Sequence, residues 1–164
     1  MDFSKAKFGL QKYDKIKDEI EKLGHWPQKP RVFPEDSINP SPTPWQQVVD
    51  QIIDGTLCLN MGYVAQIKRI EGEKYEGETI GECIARGSSY TFMIDEQCEG
   101  GAYDDEDHNH WQPQRVDSET ILDGILVVQE KYPHIWARYV ADAADAGDDD
   151  AVFQCAIFRN IIFG

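Results

Sequence analysis

The chain has no run near the roughly 18 apolar residues that a membrane-crossing helix needs. Met1-Asp2-Phe3-Ser4-Lys5 does not begin a charged-then-apolar secretory pattern, so a cytosolic location is expected. No CxxC pair occurs among Cys58, Cys83, Cys98 and Cys155. A reduced thiol in apolar surroundings behaves as a small hydrophobe, and a reducing compartment with free cysteines is therefore expected. The sequence also lacks a P-loop, a dinucleotide fingerprint, a nucleophile elbow and a zincin helix, which removes the common catalytic signatures that can be read locally. No period of 20 to 50 residues repeats, which excludes a solenoid or propeller.

What is scarce above all is positive charge in two places. Asp95, Glu96, Glu99, Asp104, Asp105, Glu106 and Asp107 fall in a stretch without Lys or Arg, and so do Asp142, Asp145, Asp148, Asp149 and Asp150. Removing these twelve from the 30 acids leaves 18 against 16 Lys and Arg, so the remainder carries only −2 of the formal −14. A field so concentrated repels nucleic acid and speeds association with a cationic protein surface. Direct nucleic-acid binding is not expected. Ordinarily such clusters are solvated loops or helix N-termini, and Asp148 to Asp150 suit a helix start. The sharper reading is that both clusters face one way and imitate a phosphate backbone, which carries one charge per ~1.7 Å of duplex axis.

The 164 residues, 41% of them hydrophobic, suit one domain with one core. Leu10, Tyr13, Ile16, Ile20 and Leu23 recur at helical steps, so residues 4 to 23 are predicted to form an amphipathic helix stopped by Gly24. Five prolines between His25 and Pro42 predict a long extended connection. Thr43 as N-cap and Pro44 in the first turn open a second helix, with Trp45, Val48, Val49, Ile52 and Ile53 on its core face and Gly55 closing it.

The period then changes. Leu57 to Leu59, Tyr63 to Ile70 and Tyr90 to Ile94 are expected to be strands, and residues 78 to 86 fit helix or strand spacing, with strand favoured. An acidic, glycine-containing stretch runs through Trp111 and Pro113 before helical spacing returns. Ser118 is expected to cap a helix carrying Ile121, Leu122, Ile125 and Val128. Pro133 starts another, with Ile135, Trp136, Tyr139 and Val140, ending near Gly147. Asp148 to Asp150 then open a last helix bearing Val152, Phe153, Ala156, Ile157 and Ile161. The expected fold is α+β: a small antiparallel sheet of three or four strands flanked by an N-terminal helical pair and a helical C-terminal third.

Chemistry is concentrated in Asp104-Asp105-Glu106-Asp107-His108-Asn109-His110. Extended backbone would point His108 and His110 the same way, able to share a divalent ion with Asp105. The segment lacks the Gly and Glu positions of an EF-hand loop. Acidic neighbours raise the Cys98 thiol, which argues against a Cys98–His108 nucleophile. Cys155 reads as structural, and His25 and His134 are isolated.

Tyr103 and Trp111 flank most of the acids and could anchor in a partner's pocket, while Trp111 is equally suited to a core. These features favour a non-enzymatic, cofactor-free inhibitor that occupies the basic surface of a nuclease or nucleic-acid-binding complex. The small acidic anti-restriction and anti-CRISPR proteins of phages and plasmids offer a compositional analogy. The alternatives are an immunity protein against a basic nuclease toxin and a metal-assisted hydrolase using Asp105, Asp107, His108 and His110.

Overall fold

The computed structural model of the chain describes residues 4–23, 42–59, 66–73, 77–95 and 111–162. Its first two helices follow the apolar spacing. In α1 (Ser4–Lys22), Ile16 and Ile20 are buried on the inward stripe. In α2 (Pro44–Leu59), Val48, Val49, Ile52 and Ile53 are fully buried. Thr43 stands at the N-cap of α2, its carbonyl accepting from the Gln47 N–H and its own N–H donating to Gln46 Oε1 at 2.8 Å.

Gly55 does not stop α2. The helix continues to Leu59, so residues 57 to 59 are helical rather than a strand. The physical reason for the glycine is a close approach, since its missing side chain makes room for the Asp149 carboxyl. Gly24 and the proline-rich connection lie outside the described residues.

Among the described residues the sheet has three antiparallel strands in the order β1 (Gln66–Glu71), β2 (Tyr90–Asp95), β3 (Trp111–Val116). Residues 63 to 65 of the strand expected over Tyr63 to Ile70 are not among those described. Alternation in β2 turns Tyr90, Phe92 and Ile94 inward, joined by Ile67 and Val116. A bulge interrupts β1 between Ile67 and Arg69.

β3 forms where the spacing of residues indicates no element. Gln112, Pro113 and Arg115 are exposed, so it carries no apolar alternation. Pro113 is admissible because β3 is an edge strand and needs no donor on its open side.

The expectation of a strand over 78–86 also fails. Residues Ile80–Ala85 are a helix, α3, nucleated by a capping box: Thr79 Oγ1 accepts from the Glu82 N–H at 3.0 Å, and Glu82 Oε2 accepts from the Thr79 N–H at 2.7 Å. Ile84 and Cys83 face the core.

Three helices complete the chain: α4 (Ser118–Lys131), α5 (Pro133–Val140) and α6 (Ala146–Phe158). Asp117, not Ser118, caps α4, because it has the extended backbone and its Oδ1 accepts from the Thr120 N–H at 3.0 Å. Helix α5 ends at Val140, before the expected boundary near Gly147. Helix α6 packs between α2 and α4. Gly124 of α4 permits that contact, since a Cβ there would collide with the Val152 carbonyl and Ala156.

Phe92 meets Phe153 at a centroid distance of 5.6 Å, joining the sheet to α6. One hydrophobic cluster draws on every described helix and strand. The architecture is α+β with a small antiparallel sheet. No helix among the described residues is long and apolar enough to cross a membrane.

Candidate functional site

The two acid-rich segments have different structural settings. In the second, Asp142 is exposed, with φ 57°, in the turn after α5. Asp145 is the N-cap of α6. Its Oδ1 accepts from the N–H groups of Gly147 at 2.9 Å and Asp148 at 3.2 Å, and its Oδ2 pairs with Arg138 Nη2 at 2.7 Å. The Asp148 N–H, helped by Arg138 and the Gly147 N–H, holds the Asp145 carboxyl below the usual carboxylate range. Asp148 reciprocates, its Oδ2 accepting from the Asp145 N–H at 2.9 Å and from Arg138 Nε at 3.0 Å.

Asp148, Asp149 and Asp150 are buried, at 6%, 3% and 5% exposure. They do not start α6 as expected: the helix begins at Ala146 with Asp145 as its cap, and Asp148 and Asp149 stand in its first turn. Their burial removes them from any charged face offered to a partner, which leaves Asp142 and the Arg138-paired Asp145 as the exposed acids of this segment.

Asp149 lies between α2, α5 and its own helix. Its Oδ1 accepts from the Tyr139 hydroxyl at 2.6 Å and from Gln51 Nε2 at 3.4 Å, while Gly55 lies against Oδ2. Burial pushes this carboxyl up to about 7, and the charges of Asp148 and Asp145 add to the rise against the opposing hydrogen bonds. The same burial, with Asp149 beside it, holds the Tyr139 hydroxyl well above its ordinary value, so it remains a donor.

Asp150 is pushed up to about 6 by burial, opposed by the Gln154 amide, which donates to Asp150 Oδ2 at 2.6 Å. Gln154 Oε1 in turn accepts from the Ile162 N–H at 2.9 Å, tying down the chain after α6. The partners Gln51, Gly55 and Arg138 were not candidates on sequence grounds, and Tyr139 was expected only in the core.

The first segment occupies one place in the topology. Asp95 ends β2 opposite Trp111, which begins β3. The two residues that flank residues 96 to 110 in the sequence are therefore paired neighbours, about 5 Å apart between opposed Cα atoms. Residues 96 to 110 carry Glu96, Glu99, Asp104, Asp105, Glu106 and Asp107 and no Lys or Arg. These acids, with Cys98, Tyr103, His108 and His110, lie outside the described residues, as does the expected Asp105, His108 and His110 metal set. Among the described residues no group of three or more His, Cys, Asp or Glu side chains could hold a metal ion.

Cys83 and Cys155 are buried free thiols and Cys58 is an exposed one. Burial pushes the Cys155 thiol up to about 11, consistent with a structural place in α6. Compared with protein-family models, curated proteins and solved structures, the chain matches none.

Proposed function

We propose that the chain is a non-enzymatic acidic binding protein that occupies a basic, nucleic-acid-binding surface of a partner protein, as acidic inhibitors of defence nucleases do. The observation that supports this most is the insertion of six unopposed acids between the paired ends of β2 and β3. Unopposed charges so close in sequence produce fields that add. The burial of Asp148, Asp149 and Asp150 narrows the reading to the first segment, because it takes these three acids out of any charged face offered to a partner.

A partner held this way is recognised by electrostatics, so its association weakens steeply with salt. Elution of the captured partner across a salt gradient tests the reading. Release by moderate salt of a basic nuclease or nucleic-acid-binding protein is expected. Retention of a partner irrespective of salt contradicts it.

A further inference from the structure

Helix α5 is tied to the start of α6 by polar side chains. Only Ile135 and Tyr139 of its eight residues are buried, and it packs chiefly on α4. Toward α6 its bonds are Tyr139 to Asp149 and Arg138 to Asp145 and Asp148. The turn that joins the two helices is exposed through Asp142 and Ala143. An element with so few buried anchors belongs to the part of a fold that opens first.

The tie through Asp149 differs from the others because none of its partners is charged. From α5, Tyr139 donates to it, while Arg138 is engaged by Asp145 and Asp148. From α2, Gln51 donates to it, and that helix contains the acids Asp50 and Asp54 and no Lys, Arg or His. Asp50 accepts from Thr79 of the neighbouring segment. On α4 the charged groups are Glu119, Asp123, Glu130 and Lys131; Asp123 holds Arg159, and Lys131 donates to the Arg159 carbonyl. From α6 itself the neighbours are Asp148, Asp150 and the capping Asp145. A negative charge on Asp149 therefore stands in a buried site among other acids, with no basic side chain in ion-pair reach among the described residues.

We propose that the α5–α6 corner is a proton-operated latch. It closes when the Asp149 carboxyl carries its proton and loosens α5 when that proton passes to water. In the closed state the neutral carboxyl accepts from Tyr139 and Gln51 and costs little to bury. In the open state the ionised carboxylate recovers hydration as α5 moves off it, while the rest of the core, built on α2, α4, α6 and the sheet, stays packed. The rise of the Asp149 carboxyl to about 7 sets the transition near neutral pH, so modest acidification keeps the corner shut.

Amide hydrogen exchange of the intact chain at pH 5.5 and pH 8, corrected for intrinsic rates, tests the latch. Protection of the α5 amides is expected to fall roughly tenfold or more between the two, by proton linkage, and to fall less for Ile125 to Val128 of α4. Asp149→Asn preserves the acceptor for Tyr139 and Gln51 without an ionisable group, and in this variant α5 is expected to stay protected at both values. Equal α5 protection in the unaltered chain overturns the proposal, and so does an undiminished fall in the variant. Should the variant not fold, the Asp149 carboxyl carbon of the unaltered protein is followed by NMR. A midpoint near neutrality supports the latch, and one in the ordinary carboxylate range near pH 4 overturns it.

Discussion

Gly55 of α2 and Asp149 of α6 share a contact that leaves no volume for a side chain at position 55, because a Cβ there would overlap the carboxyl group. That carboxyl is held by Tyr139 and Gln51 and cannot swing away as a free surface side chain would. Gly55→Ala gains about 1 kcal/mol of helix propensity but forces α2 and α6 apart, at a typical overpacking cost of about 1–3 kcal/mol. A net loss of about 1 kcal/mol is expected in urea denaturation. A gain in stability would show that the carboxyl can yield.

Acid should stabilise this protein over part of the pH range. Asp149 and Asp150 hold protons more tightly folded than unfolded, at about 7 and about 6. Their contribution is fully present below the ordinary carboxylate value near 4 and is lost as pH rises through 6 and 7. Asp145 has the opposite sign, so its contribution is present above that value and lost as pH falls through its depressed one. Thermal melts are expected to show a maximum on the acid side of neutrality. Asp149→Asn raises the melting temperature at pH 8 and flattens the decline between pH 5 and pH 8. An unchanged slope contradicts the assignment.

The start of α6 depends on a reciprocal cap. Asp145→Ala removes acceptors for two backbone N–H groups and is expected to cost about 1 kcal/mol. Arg138→Met leaves Asp148 buried without its cation. Because Arg138 is half exposed, the expected loss is about 1–2 kcal/mol, below that of a fully buried pair. A double-mutant cycle with Asp148→Asn is expected to give a coupling above ~0.5 kcal/mol. A coupling near zero would mean that Arg138 pairs with Asp145 alone.

The pattern of residues reveals α1, α2, α4, α5 and β2 because burial on one face imposes a period. It hides β3, whose exposed Gln112, Pro113 and Arg115 present no such period. In residues 78–86 the spacing of Ile80 and Ile84 is ambiguous, and the deciding signal is local: Thr79 followed three residues later by Glu82. Gly55 reads as a stop because a close approach between helices leaves the same mark in a sequence as a helix end.

Asp148 to Asp150 read as surface charge for want of a visible partner. A signal was present, since Ala151, Val152, Phe153, Cys155 and Ala156 are apolar on every side of α6, which marks a helix buried all round. Asp150 has its partner Gln154 at a helical i,i+4 spacing, but the bonds to Asp148 and Asp149 from Arg138, Tyr139 and Gln51 follow no spacing rule.

The acids between β2 and β3 should matter for binding and not for folding. The most direct test replaces Asp104, Asp105 and Asp107 by Asn and Glu106 by Gln, then compares this variant with the unaltered chain for partner capture from native lysate and for melting temperature. The account predicts that the unaltered chain retains a basic partner released by moderate salt, and that the variant melts at the same temperature but loses most of that capture and its salt dependence. Equal capture by both, with the same salt profile, would contradict it.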